Sequence, residues 1–246
     1  TRLEQTFASI MNNEVAVERG AAAIALIVLS GDVNPDDAIA ILEDNFGALA
    51  PHARKDPNSV PRLRASDDID VQLGVPVAQS QLGYIVPAPG PGEADALAWQ
   101  ILLYILSHDY EGRLGKEAIS NRGLAYYIDS RYRSDGDSGW VTLAVGVDPD
   151  KLIPLKDLLR AELQRLSDEP PTIGEIEEAK RHFLGRARSA AQSNEELSAT
   201  LATHLLWYGD VITPKSLDRM LGPISRQDVL DVVPAFIEGV TIVVDR

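Results

Sequence analysis

The sequence contains no cysteine among its 246 residues. Disulfide bridges, thiolate metal sites and cysteine nucleophiles are therefore excluded. A chain without cysteine suits an oxidising or a reducing compartment equally well, so this absence leaves the compartment open.

Long apolar runs are also absent. The longest, from about Ala21 to Leu29, is roughly half as long as a membrane-spanning helix needs to be. The sequence therefore predicts no membrane span. No basic segment followed by an apolar run marks a secretory signal, and Thr1 is not an initiator methionine. We therefore expect Thr1 to be a cut within a longer protein.

Lysine and arginine are scarce. There are 23 of them against 37 aspartates and glutamates, which gives a net charge of −14. A nucleic-acid-binding surface needs a surplus of basic side chains to neutralise phosphates, so no nucleic-acid partner is expected. The acidic surface favours solubility and leaves a mild preference for basic partners.

The composition changes after residue 50. Residues 51–66 carry three prolines, three arginines and one lysine with few apolar side chains, which is typical of a linker. Residues 1–50 are too short to bury a strand of their own, so we interpret them as the tail of a preceding domain. Residues 67–246 are predicted to form the main domain.

Hydrophobic patterns predict the elements of the first part. The continuous apolar run Ala21–Leu29 is typical of a buried strand. Asn34 is a good N-cap, and Pro35 suits the first helical position, so a helix is predicted after them. Its apolar stripe contains Ala38, Ile41, Leu42 and Phe46.

The main domain mixes predicted strands and helices. Strands are predicted at Ile69–Leu73, Gln81–Val86, Leu124–Tyr132, Trp140–Val147 and Val240–Val244. The third and fourth are joined by a turn rich in Asp, Gly and Ser, so they are predicted to form a hairpin. This order predicts an α+β fold, in which a largely antiparallel sheet has helices packed on one face.

Capping residues predict where the helices of this domain begin. The first has a core face formed by Ala94, Leu97, Ile101, Leu102 and Ile105, and a short helix spans about Arg113–Ser120. Asp148-Pro149 opens another helix, and a capping box at Thr172 and Glu175 opens a long one that reaches Trp207. Thr213-Pro214 and Ser225 with Asp228 open the last two.

No self-contained active site is apparent. His108-Asp109-Tyr110-Glu111 comes nearest to a metal motif, but residue 112 is glycine, where an H-x-x-E-H helix needs its second imidazole. His182 and His204 lie about six helical turns apart on the predicted long helix, too far to share an ion. We therefore predict no catalytic residue and no metal ligand in this chain.

Five stretches, taken together, resemble one family in order and spacing. They are LSGDVNPDDAIAILEDNFGAL, RLGKEAISNRGLAYYIDS, Trp140 to Asp150, PPTIGEIEEAKRHFLG and Ser225 to Val229. Together they cover nearly the whole chain and resemble the pitrilysin (insulinase, M16) family of zinc metallopeptidases, which includes proteins like the mitochondrial processing peptidase.

The resemblance implies a function that needs a second half. Family members pair two halves of similar fold around a closed chamber. One half carries zinc on H-x-x-E-H and a later Glu, and the other forms part of the peptide-binding wall. This chain resembles the non-catalytic half, so it should hold no cofactor and should be inactive alone. Its expected partners are a peptide substrate and a zinc-bearing half, upstream in the same polypeptide or a separate subunit.

The resemblance also implies candidate substrate-binding residues. The second half of the family often places an Arg and a Tyr, seven residues apart, against the substrate backbone. Tyr126 stands at the tyrosine position, but Ile119 stands at the arginine position. Arg113 and Arg122 are the nearby residues that could offer a cation. The alternative for Tyr126 is an ordinary half-buried strand tyrosine.

Two functions remain open on the sequence alone. The chain helps a catalytic half to bind extended peptides, or it is a degenerate M16-like structural subunit without a peptidase role, similar to the core proteins of respiratory complexes. The loss of the aligned arginine at Ile119 favours the second. The compartment is open: family resemblance favours the periplasm, and the cytoplasm is the alternative.

Overall fold

The computed structural model describes residues 26–48, 68–72, 79–134, 138–190 and 192–245. The predicted linker at 51–66 lies outside these residues, so the proposed domain boundaries stay a prediction. The described residues divide into two units. One contains residues 26–48 together with the segment from Ala190 to Thr203, and the other contains the remaining described residues.

The first unit contains helix α1, Pro35–Phe46. The Asn34 side chain accepts hydrogen bonds from the backbone N–H groups of Asp36 and Asp37 at 2.9 and 3.4 Å, so the predicted cap is confirmed. The predicted strand before it is wrong for Leu26–Leu29, which have no regular structure. A strand needs a neighbour that accepts and donates ladder hydrogen bonds, and no described strand pairs with this run.

The second unit is built on a five-stranded sheet. The strands are β1 Ile69–Gln72, β2 Ser80–Pro89, β3 Asp129–Ser134, β4 Ser138–Val147 and β5 Val240–Asp245. They lie in the order β1-β5-β2-β4-β3. The β1–β5 pair is parallel and the other three pairs are antiparallel, so the predicted α+β fold with a largely antiparallel sheet is confirmed.

Seven described helices follow α1. They are α2 Ala96–Ser107, α3 Arg113–Gly115 continued by a π-helix at Lys116–Asn121, α4 Leu152–Asp168 after a 3-10 turn at Pro149–Lys151, α5 Ile173–Ala190, α6 Asn194–Tyr208, α7 Pro214–Leu221 and α8 Arg226–Phe236. No helix in these ranges is long and apolar enough to cross a membrane.

The core lies between one face of the sheet and the helices α2, α4 and α8. Alternate side chains of β2 and β4 point to this face and are buried: Leu82, Tyr84, Val86, Val141, Leu143 and Val145. Helix α2 is buried on most of its surface, including Trp99 and Leu102. The predicted core face of α2 is wrong at Ala94, which is exposed because the helix begins two residues later, at Ala96.

The hairpin is confirmed, but its first strand is shorter than predicted. Residues 124–128 are not in the sheet, and β3 begins at Asp129. The N–H groups of Leu124 and Ala125 both donate to the carbonyl of Ala118, at 2.7 and 3.2 Å, so they close a turn instead of pairing with β4. The turn itself, residues 135–137, lies outside the described residues.

The long helix predicted from Thr172 to Trp207 is two helices. Its start is confirmed, since Thr172 and Glu175 form the predicted capping box. It ends at Ala190, and α6 begins at Asn194. Ser193 accepts a hydrogen bond from the N–H of Glu196 at 3.4 Å, as the N-cap residue before a new helix does.

Tyr84 ties the end of α8 to the start of β5. Its buried hydroxyl donates to the carbonyl of Phe236 and accepts from the N–H of Gly239 at 2.9 Å. A side chain at residue 239 would collide with the Tyr84 ring, so this close approach requires glycine. Burial raises the pKa of the Tyr84 phenol, which therefore stays a neutral hydrogen-bonding group.

Asp68 anchors the entry to β1. Its carboxylate accepts from the N–H of Thr241 at 3.0 Å and from Arg160, and Lys156 Nζ lies 3.5 Å away. The acidic residue therefore links β1 to both β5 and α4.

Candidate functional site

Two tyrosines project into solvent from the segment between the π-helix and β3. Tyr126 is 68% exposed and Tyr127 is 56% exposed, whereas the flanking Ala125 and Ile128 are 5% and 8% exposed. The buried neighbours fix the backbone on both sides, so the two phenols are held outside the core on an anchored segment. Exposed aromatic side chains on a fixed loop are typical of binding surfaces.

Gly123 produces the turn that leads into this segment. Its φ of 57° lies in the left-handed region, where a residue with a side chain is strained. The turn brings the backbone back to Ala118 before the tyrosines. Tyr126 therefore lies in a turn segment, rather than in the strand that the sequence predicts.

Arg113, one of the three predicted site residues, is mostly buried, and its guanidinium binds other groups of the protein. Its Nε and Nη2 atoms donate to the two carboxylate oxygens of Glu175 at 2.7 and 2.9 Å, and Nη1 donates to the carbonyl of Glu169 at 2.7 Å. The side chain is 12% exposed. All three nitrogen atoms thus have protein partners, and the side chain joins the start of α3 to the end of α4 and the start of α5.

The contact with Arg113 changes the pKa of Glu175. Burial raises the pKa of its carboxyl, but hydrogen bonds from Arg113 and from the backbone and hydroxyl of Thr172 outweigh burial and lower the pKa to about 2. The negative charge is therefore part of the folded structure.

Arg122 and Tyr126, the other two predicted residues, are at the surface. Arg122 Nε lies 3.3 Å from Glu117, and its side chain is 55% exposed. Such an exposed ion pair is worth only about 0–1 kcal/mol, so Arg122 can turn to a ligand at little cost. The three predicted residues make no hydrogen bond or ion pair with one another. Ile119, at the aligned arginine position, is half-buried and packs against the core.

Sequence reasoning missed a polar cluster beside the tyrosines. Gln79 Oε1, Gln81 Nε2 and the Tyr127 hydroxyl lie 3.1, 3.4 and 3.4 Å from the point that a Cβ atom on Gly146 would occupy. Gln81 is the direct cross-strand partner of Gly146. A glycine inside a predicted strand often marks a close approach, and Gly146 in the predicted strand Trp140–Val147 was the available signal.

A second missed feature is a pair of histidines. The His108 ring stacks on Tyr104 with centroids 4.3 Å apart, and the His182 ring lies 4.4 Å from His108. Burial, and then the neighbouring His108, lower the pKa of His182. The described residues contain no group of three or more His, Cys, Asp or Glu that could hold a metal ion. The two histidines come from different elements, the end of α2 and α5, and so they do not have the spacing of an H-x-x-E-H helix.

The sequence also matches the model of a known protein family. The sequence model described as the peptidase M16 inactive domain matches residues 21–183. The chain belongs to the peptidase M16 family. No curated protein matches this M16 chain.

Solved structures show the same M16 fold. A protease from Helicobacter pylori matches with a TM-score of 0.73 at 17% identity, over 88% of this chain and 53% of that one. The peptidase M16 inactive domain from Pseudomonas fluorescens matches with a TM-score of 0.73 at 18% identity, over 87% and 52%. A chain of Complex III2 from Candida albicans matches with a TM-score of 0.72 at 13% identity, over 88% and 54%. This M16 chain therefore spans about half the length of these relatives.

Proposed function

We propose that this chain is the non-catalytic half of an M16-type zinc metalloendopeptidase and helps to form the peptide-binding chamber. A separate half bearing H-x-x-E-H supplies the zinc, which polarises the scissile carbonyl and activates water when it is bound. This half binds and orients the peptide. The partner is a segment upstream in the same polypeptide or a separate subunit.

The observation that carries the proposal is the exposure of Tyr126. The motif position that the family uses for substrate contact is held 68% exposed by buried neighbours on an anchored turn. A core tyrosine would be buried, and this one is not. Its hydroxyl can donate a hydrogen bond to a peptide carbonyl, and fixing an extended peptide near the metal raises the rate by positioning.

A cation is available on the same segment. Arg122 lies four residues before Tyr126, and among the described residues its partner is Glu117, in an exposed ion pair. Arg113 is the weaker candidate, because its guanidinium is already bound to Glu175 and Glu169. We therefore assign the peptide-binding role to Tyr126 and Arg122.

Replacing Tyr126 with phenylalanine should lower kcat/KM for peptide cleavage by the assembled two-half enzyme about 2- to 13-fold, because one hydrogen bond is worth roughly 0.5–1.5 kcal/mol. Folding should be unchanged, since only an exposed oxygen is removed. The matched control is Tyr110→Phe, because Tyr110 is 60% exposed on another segment. Equal turnover by wild type and both variants would count against the proposal.

The second candidate is a structural subunit with no peptidase role. Ile119 favours it, since the aligned cation is replaced by an apolar side chain that packs against the core. A structural subunit needs no cation at residue 119, so it would keep only the packing contacts of that side chain.

Ile119→Arg separates the two candidates. Ile119 is half-buried, so an arginine can extend its charged end to solvent, and we expect a folded protein that is about 1–2 kcal/mol less stable. In a peptidase half, the cation restored at the aligned position should lower KM for peptides. Ile119→Met controls for packing alone. An unchanged KM, together with normal turnover in Tyr126→Phe, would favour the structural subunit.

A further inference from the structure

We propose that Gln79, Gln81 and Tyr127 form a binding site for one main-chain amide of an extended peptide, with Gly146 as its floor. The inference rests on the proposed function and extends it from Tyr126 to the neighbouring face of the sheet. It names the peptide backbone, rather than a side chain, as the group recognised there.

The first support is convergence from two sides. Gln81 lies directly across from Gly146 on β2. Gln79 lies just before β2 begins, and its Oε1 is 3.1 Å from the point that a Cβ atom on Gly146 would occupy. Tyr127 arrives from the other side, two residues before Asp129, which pairs with Ala144 on β4. Side chains from both neighbours of β4 therefore meet above one glycine.

The second support is that these polar ends are unused by the protein. In the part of the chain that the structure describes, none of the three makes a hydrogen bond, and the residues carrying them are exposed. Three polar groups that face one point and have no partner among the described residues are free to bind a ligand. An alanine at residue 146 would place its Cβ only 3.1–3.4 Å from them, so glycine leaves the floor open.

The chemistry of the three ends favours a neutral ligand with both a donor and an acceptor. A glutamine amide donates through nitrogen and accepts through oxygen, and a phenol does both. A peptide unit presents one N–H and one C=O. Because main-chain groups are the same in every peptide, this site should contribute affinity without selecting sequence.

The neighbouring Tyr126 indicates the path of a bound peptide through this site. Tyr126 precedes Tyr127 in the chain, and both side chains are exposed to solvent. A peptide that contacts Tyr126 can therefore continue along the segment to Tyr127 and the glutamines.

The test compares glycine and tyrosine variants in the assembled two-half enzyme. Gly146→Ala and Tyr127→Phe should each raise KM about 2- to 10-fold, the range expected for one lost hydrogen bond, with kcat changed less. The rise should be equal for two peptides with unrelated side chains. Gly83→Ala is the matched control, since Gly83 lies on the same sheet face, where a Cβ would meet only ordinary contacts at 3.6 Å and beyond.

The outcomes separate this site from the wider proposal. If turnover depends on this chain and falls in Tyr126→Phe, but KM is unchanged in Gly146→Ala and Tyr127→Phe, the amide site is refuted and the peptidase role stands. If the rise in KM differs between the two peptides, main-chain recognition is refuted. If turnover does not depend on this chain at all, both proposals fail.

Discussion

Replacing Glu175 with glutamine is expected to lower the free energy of unfolding at neutral pH by about 1–3 kcal/mol, since each unit of pKa shift corresponds to about 1.4 kcal/mol and solvent screening reduces the effect at a partly exposed carboxylate. The folded-state pKa is about 2, against an ordinary value of 4.5. Glu175 accepts two hydrogen bonds from Arg113 and two from Thr172. A neutral amide cannot accept all four and leaves the Arg113 charge uncompensated in a site where it is 12% exposed.

The same substitution should change the acid stability. The carboxylate contributes its full stability above pH 4.5 and loses it as the pH falls towards 2, because the unfolded chain binds the proton first. Glu175→Gln should therefore flatten the decline in stability over this range. Urea unfolding monitored by circular dichroism at pH 7, 4 and 2.5 measures both effects.

Glu178→Gln is the control for charge alone. Glu178 lies one turn further along α5 and is exposed, and it has no ion-pair partner among the described residues. We expect its replacement to change the free energy of unfolding by less than about 0.5 kcal/mol. Equal losses in the two variants would show that the Arg113–Glu175 contact is not the source.

Tyr84→Phe should be the second strongly destabilising change, at about 2–4 kcal/mol. The variant keeps the ring but removes the hydroxyl that satisfies both the Phe236 carbonyl and the Gly239 N–H. A backbone group left without a partner costs roughly 1–3 kcal/mol when it is buried, as the Phe236 carbonyl is, and less when it is partly buried, as the Gly239 N–H is. Thermal and urea unfolding measure the loss, and the hydrogen exchange of the Gly239 amide should accelerate.

Tyr132→Phe is the control for the loss of a single tyrosine hydrogen bond. The Tyr132 hydroxyl makes one hydrogen bond, to the carbonyl of Pro89 at 2.6 Å, and the residue is half-buried. Its loss should be about 1 kcal/mol. If Tyr84→Phe costs no more than Tyr132→Phe, the two-sided role of Tyr84 is wrong.

Local sequence signals predicted most of the helix starts correctly. Asn34 caps α1, Thr172 and Glu175 cap α5, and Ser225 and Asp228 form a capping box before α8. These signals work because both partners lie within three residues. The missed start of α6 had such a signal too, since Ser193 and Glu196 have the spacing of a capping box.

The candidate site depends on contacts that are distant in sequence. The alternation of apolar residues predicts a strand that starts at Leu124, because it does not show that Gly123 turns the chain back to Ala118. The strand begins at Asp129. The family motif identified Tyr126, but only the structure shows that Arg113 is occupied by Glu175, 62 residues away. Likewise, the approach of Tyr127 to Gly146 depends on the register of β3 against β4.

The position of β5 in the sheet has a consequence for how the chain folds during synthesis. Asp68 bonds to Thr241 across 173 residues, and β5 lies between β1 and β2. The hairpin of β3 and β4 and its pairing with β2 can form early, because their loops are shorter. Until β5 leaves the ribosome, β1 has no neighbour and one edge of β2 is open. That edge can pair with another nascent chain. Aggregation should therefore compete with folding most strongly at this stage.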